Sequence, residues 1–214
     1  EYSLGSLVGF LALFGLAARH GLVLIRRMQD LERYEGQAFG PDLVVGVSTY
    51  AHELFRAAGA LDAVYVPIGM GSGICGVIAA RDMLGLRTKV IGVAAAGANA
   101  YALSFAAGKP ASTNSAATFA DGMAVRIPNA DAFHVIKHGA ERIVTVSDDE
   151  IAEAVRLYFR AAHTIAEGAG AAALAALMQE RDRMKGKRAG VILSGGNIDM
   201  PKFAAILRGE TPRD

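Results

Sequence analysis

The chain has 214 residues, 52% of them hydrophobic, and a formal net charge of +1. That is enough apolar material for one large or two small domains, and it leaves no basic footprint for nucleic acid. The single cysteine, Cys75, excludes an internal disulfide and fits a reducing, cytoplasmic setting, and the five scattered histidines offer no zinc-like spacing.

Ser3–Ala18 is uncharged and mostly apolar. It stops at Arg19-His20, short of the roughly 20 apolar residues a membrane span needs. It also lacks the basic start of a signal peptide. A buried core helix is expected there, and no membrane association. Arg26–Glu35 is charged, and Gly36–Pro41 reads as a turn-rich linker.

From Asp42 the pattern is regular. Leu43–Ala58 reads as a helix, with Tyr50, Leu54 and Ala58 at helical spacing on one face. Ala63–Ile68 is a continuous apolar run of the kind found in a buried parallel strand. The glycine turn Gly69-Met70-Gly71-Ser72-Gly73 follows, and then a helix over about Ile74–Leu84. Thr88–Ala94 reads as a second strand, Ala98–Ala107 as a helix, and Gly108–Arg126 as a loop rich in small polar residues.

Asn129–His138 reads as a helix and Arg142–Val146 as a third strand. Ser147-Asp148-Asp149-Glu150 forms a capping box, and its helix is expected to reach His163. Another helix is expected from Gly168 to about Arg183. Ala189–Ser194 reads as a fourth strand, closed by Gly195-Gly196-Asn197, with a last helix near Pro201–Leu207. His134 and His163 are expected at ordinary helical positions, and the alanines and methionine of 168–178 as packing residues.

Strands alternating with helices imply an α/β fold: a parallel sheet with helices on both faces. Ligands of such sheets bind beyond the carboxyl ends of the strands. The turns at 69–73 and 194–197 both lie there and can face one ligand.

Gly71-Ser72-Gly73-Ile74-Cys75-Gly76 matches the dinucleotide pattern G-x-G-x-x-G. That pattern also needs an acid about 20 residues on, at the end of the next strand. The residues there, Ile91–Ala96, include no acid and no arginine, which disfavours a nicotinamide cofactor.

A second set of residues carries a more specific signal. Gly46-x-x-Thr49-x-x-x-Glu53, Gly69–Gly73, Ala120-Asp121-Gly122, Glu167-Gly168-Ala169-Gly170-Ala171 and Ser194-Gly195-Gly196-Asn197 occur in this order. Their order and the elements between them resemble the pyridoxal-phosphate (PLP) enzymes of the tryptophan-synthase-β fold, fold type II, in the threonine/serine dehydratase branch. The resemblance covers about residues 42–207. The family's turn is nearly all glycine, and here Met70 and Ser72 interrupt it.

The resemblance implies that the backbone of Gly69, Met70, Gly71, Ser72 and Gly73 cradles the cofactor phosphate. Met70 is expected to point away, and the Ser72 hydroxyl is free to donate. Ser194 would hydrogen-bond the pyridine nitrogen beside Gly195, a neutral contact that suits β-elimination over transamination. The plain alternative for Ser194 is a strand-end cap. Glu167 would lie near the ring and the substrate, or serve only as an acid at a helix N-terminus. Asp121-Gly122 is expected to be a structural turn near the site.

PLP enzymes also need a lysine to hold the cofactor's aldehyde. In this family it lies upstream of the phosphate turn, in a Ser/Thr-x-Lys-x-Arg segment. No lysine precedes Lys89, and none of Lys89, Lys109, Lys137, Lys185, Lys187 and Lys202 fits that motif. Phe14–Gly21 resembles the family's helix after its asparagine motif, and Glu1-Tyr2-Ser3 its opening segment. Residues 1–40 therefore read as discontinuous pieces of a small N-terminal domain, beside a large cofactor domain over 41–214. A truncated chain and a lysine-less descendant remain the alternatives.

The function implied is an ammonia-lyase acting on a small hydroxy-amino acid, in a homodimer or homotetramer. Another β-elimination or replacement enzyme of the same fold is the near alternative. A non-catalytic domain binding a phosphate ligand is the distant one. With no segment after Asp214, feedback control through an appended domain is not expected.

Overall fold

The computed structural model describes residues 40–213. The expectations for Ser3–Ala18, Phe14–Gly21, Arg26–Glu35 and the linker before Gly40 lie outside the described residues.

Four parallel strands form one sheet: β1 (Ala63–Pro67), β2 (Lys89–Ala95), β3 (Arg142–Val146) and β4 (Ala189–Val191). Their spatial order is β3-β2-β1-β4. β1 pairs in register Tyr65↔Ile91 on one side and Tyr65↔Val191 on the other. All five residues of β1 are buried, as are six of the seven in β2. Both faces are therefore covered, which is why these strands read as unbroken apolar runs.

Among the described residues seven α-helices accompany the sheet: α1 (Pro41–Ala58), α2 (Ser72–Met83), α3 (Ala100–Ala107), α4 (Ala130–Gly139), α5 (Asp148–Ala162), α6 (Gly168–Gln179) and α7 (Met200–Leu207). Proline at the first position of α1 supplies a φ already suited to a helix. The buried centre of α1 is Ala51 and Phe55, one position along from the Tyr50–Leu54–Ala58 stripe, whose members are half-buried. α1 lies on α2 so closely that a Cβ on Gly76 would stand 3.0 Å from the Ser48 nitrogen.

α6 covers the other face. Eight of its small residues, from Gly168 to Ala176, are buried, so it sits tightly on β1, β2 and β3 beside Tyr65, Ile91 and Val93. The expectation of packing residues holds for the alanines of this stripe, whereas Met178 is exposed near the end of the helix.

Several boundaries differ from the sequence reading. β4 ends at Val191, not Ser194. Ile192 N–H still donates to the Tyr65 carbonyl at 3.0 Å. The next ladder bond would need an N–H from residue 67, and Pro67 has none. The two strands therefore part at their carboxyl ends. α6 stops at Gln179 instead of Arg183, and the side chain of Glu180, its C-cap, is bonded by Tyr65 and Arg142.

α2 starts at Ser72, two residues earlier than expected. The expected helix at 98–107 divides into a short 3-10 turn, Ala96–Ala98, and α3. His163 is not a helical residue. It caps α5 in the left-handed region, φ 50°, and is exposed. His134 is an exposed residue of α4, as expected. The capping box forms in full: Ser147 Oγ accepts the Glu150 N–H, and Glu150 accepts the Ser147 N–H at 2.7 Å.

Candidate functional site

The chain leaves β1 toward β2 on one side and returns much later as β4 on the other. The carboxyl end of β1 is thus a topological switch point, where the connections diverge and leave a crevice. Pro67 deepens it by releasing β4. A cavity of about 760 Å³ occupies this place. Its lining includes Gly69–Gly73, Ser194, Gly122 and Tyr50. The first glycine turn lines this cavity with all five residues, and the second reaches it through Ser194 alone; Gly195 and Gly196 are not in its lining.

The N-terminus of α2 opens onto this cavity without a cap. Its first three N–H groups, on Ser72, Gly73 and Ile74, have no acceptor within the helix. The N-cap is Gly71, with no side chain to bond them, and no acid stands in the first turn. Helices α4 and α5 are the contrast: Asn129 and Ser147 cap them, with Asp131 and Asp148–Glu150 in their first turns. α2 therefore presents unused donors and the positive end of its dipole, the arrangement an anion needs.

The turn requires glycine at two points. Gly71 has φ 104° and ψ −6°, a conformation that L side chains rarely adopt. At Gly69 an added Cβ would collide with the Gly122 carbonyl oxygen. The Asp121–Gly122 turn, a short 3-10 segment Asp121–Met123, thus packs directly against the Gly69–Gly73 turn. Met70 is exposed.

Two tyrosines missed by the sequence reading as site residues complete the turn. Tyr50 Oη donates to the Gly73 carbonyl at 3.1 Å. Tyr101 Oη donates to the Met70 carbonyl at 2.7 Å and accepts the Asn129 N–H at 3.1 Å. Burial pushes both hydroxyls up to about 12, so they remain donors at any ordinary pH. Only their tertiary contacts reveal them.

Glu167 does not line this cavity. It lines an adjoining one of about 320 Å³ with Asp121, Asn197, Asp199 and Lys202, and the two spaces share Gly122 and Ala169 as a wall. Glu167 is the N-cap of α6 but makes no side-chain cap bond. Its carboxylate instead accepts the Asn197 N–H at 3.2 Å, and its own N–H donates to the Gly195 carbonyl at 3.1 Å. A Cβ on Gly195 would stand 2.6 Å from Glu167 Oε1. Glu167 and Gly195 therefore form one packed unit behind Ser194.

None of the lysines reaches the larger cavity among the described residues. Lys89 pairs with Glu141 and Lys137 with the Gly108 carbonyl, both at the surface. Lys202 lies 3.8 Å from Asp121.

Comparison with known proteins gives a consistent result. The family described as "Pyridoxal-phosphate dependent enzyme" matches residues 25–195. The chain is 37% identical over 196 residues to phenylserine dehydratase of Ralstonia pickettii, covering 89% of this chain and 60% of that protein. It is 32% identical over 194 residues to L-threo-3-hydroxyaspartate ammonia-lyase of a Pseudomonas species, covering 91% and 58%. The processed form of threonine deaminase isoform 2 from Solanum lycopersicum superposes with a TM-score of 0.75 at 29% identity, over 79% of this chain and 47% of that one. The chain thus spans about half to three-fifths of the length of these relatives. Among the described residues, no helix is long and apolar enough to cross a membrane.

Proposed function

The chain belongs to the pyridoxal-phosphate-dependent enzymes, and from that premise we propose that it forms the cofactor-binding part of an ammonia-lyase of the threonine/serine dehydratase type. The reaction removes the β-hydroxyl of a small hydroxy-amino acid and yields a 2-oxo acid and ammonia. The observation that carries this reading is the uncapped, acid-free N-terminus of α2, opening with Ser194 onto one cavity at the switch point of the sheet. The relatives named as an ammonia-lyase and a dehydratase support the same class.

The residues present fit the cofactor. The N–H groups of the Gly69–Gly73 turn and the start of α2 would hold its phosphate. Ser194, an exposed residue of the cavity lining, would give the ring nitrogen a neutral hydrogen bond. Glu167 would hold Gly195 and Asn197 in place behind Ser194 and keep a carboxylate near the substrate side. When bound, pyridoxal phosphate supplies the electron sink that lets the α-proton of an amino acid depart. A neutral partner at its nitrogen keeps that sink moderate, which favours elimination over transamination.

We assign residues 41–214 to the large cofactor domain and 1–40 to a smaller one. The grouping of 41–214 into one compact unit supports that division. A cytoplasmic homodimer or homotetramer is the assembly we propose. The reading requires a lysine that the described residues do not bring to the cavity.

The test is to incubate the natural full-length protein with pyridoxal phosphate, remove the excess and record the visible spectrum. A yellow band that borohydride abolishes is expected. Absence of any lysine-bound cofactor would leave a non-catalytic domain that binds a phosphate ligand.

A further inference from the structure

The peptide units of the Gly69–Gly73 turn are oriented from outside the turn. In a trans peptide the C=O of one residue and the N–H of the next point in opposite directions. Whatever fixes the Met70 carbonyl therefore aims the Gly71 N–H the other way. The Gly73 carbonyl, by contrast, belongs to the second residue of α2, and the helix ladder already orients it. Carbonyls turned away from a ligand must themselves be paired.

Both carbonyls are held by tyrosine hydroxyls from separate helices. Tyr101 on α3 binds the Met70 carbonyl at 2.7 Å, and Tyr50 on α1 binds the Gly73 carbonyl at 3.1 Å. Each hydroxyl rests on a glycine of the turn. A Cβ on Gly71 would stand 3.2 Å from Tyr101 Oη, and one on Gly73 would stand 3.4 Å from Tyr50 Oη. Tyr101 also accepts the Asn129 N–H, which ties the turn to the N-cap of α4.

We propose that Tyr101 is a positioning residue that aims the N–H group of Gly71 at the phosphate end of the ligand, by bonding the Met70 carbonyl. The inference rests on the proposed function, in which that ligand is pyridoxal phosphate. It goes beyond it in making phosphate recognition depend on a side chain that need not touch the phosphate.

The test compares wild type, Y101F and Y65F in the natural full-length protein. Tyr65 is a fully buried tyrosine whose hydroxyl bonds Glu180 and not the turn, so Y65F is the structural control. Equilibrium dialysis gives the affinity for pyridoxal phosphate and for pyridoxal, which lacks the phosphate. Y101F should lose about tenfold in affinity for pyridoxal phosphate, the scale of one directed hydrogen bond. Its affinity for pyridoxal should not change. Y65F should lower the melting temperature and leave the ratio of the two affinities at the wild-type value.

Wild-type pyridoxal phosphate affinity in folded Y101F overturns the inference, as does an equal loss for both ligands. Y101F also frees the Asn129 N–H; where it does not accumulate, the Gly71 amide resonance of 15N-labelled wild type decides, and it should shift with pyridoxal phosphate and not with pyridoxal, equal shifts overturning the inference. A wild type that binds pyridoxal as tightly as its phosphate ester overturns the phosphate reading of the turn, and the inference with it. A wild type that discriminates beside a Y101F that matches it overturns the inference only.

Discussion

Replacing Gly71 with alanine probes the turn where backbone and packing constraints coincide. Its φ of 104° lies where an L residue pays a strain of about 1–2 kcal/mol. The new methyl would also stand 2.8 Å from Ala132 Cβ and 3.2 Å from Tyr101 Oη. Overpacking of that kind typically adds about 1–3 kcal/mol. The expected loss is about 2–5 kcal/mol of stability.

Gly186 is the matched control. It has φ 75°, with nothing within 4 Å of an added Cβ, so alanine there should cost only the strain, about 1–2 kcal/mol. Urea unfolding of both variants, read from the midpoint at unchanged slope, separates the two contributions. Pyridoxal phosphate affinity should fall in G71A and not in G186A. A G71A protein no less stable than G186A, with wild-type cofactor affinity, would refute the packing and strain argument for this turn.

Other outcomes follow from the same structure. Glu180 is bonded by Tyr65 at 2.6 Å and by Arg142, so E180A leaves a half-buried guanidinium unpaired and should cost about 3–5 kcal/mol in chemical denaturation. Burial pushes the Glu180 carboxyl up, but the bonds from Arg142 and Tyr65 outweigh it and hold it below the usual carboxylate range. Its contribution is therefore complete above the unfolded value of about 4.3 and is lost as pH falls below that. The stability gap between wild type and E180Q should narrow correspondingly in acid. In a phenolate absorbance titration, Tyr50 and Tyr101 should stay protonated until about pH 12, and ionisation near 10 would mean they are not buried donors. S147A breaks the capping box of α5 and should cost about 1 kcal/mol, measured by thermal unfolding. G195A should push on the Glu167 carboxylate and weaken cofactor binding beyond any loss in E167Q, as dialysis would show.

What could be read in the sequence was local. The apolar runs of β1 and β2, the Ser147–Glu150 box and the glycine turn carry their structure in adjacent residues. The alternation of strands and helices fixed the side of the sheet on which the two glycine turns would lie. What could not be read depends on partners far along the chain. The end of β4 is set by Pro67, more than a hundred residues earlier, because the missing donor belongs to the neighbouring strand. The partners of Glu180 at the end of α6, Tyr65 and Arg142, lie far back in the chain and leave no local mark. Tyr50 and Tyr101 look like ordinary amphipathic helix residues until the fold brings their hydroxyls to the turn. Glu167 shows a different limit. Its motif suggested a place beside the ligand, but the folded chain turns the carboxylate onto Asn197 and Gly195, in the adjoining cavity and not the larger one.

The most direct test of the account is a crystal structure of the natural full-length protein with pyridoxal phosphate. The phosphate oxygens should lie within about 2.7–3.2 Å of N–H groups in the Gly69–Gly73 turn and the first turn of α2, with the ring nitrogen facing Ser194. A phosphate bound elsewhere, or a ring whose nitrogen lies beyond reach of Ser194, would contradict it.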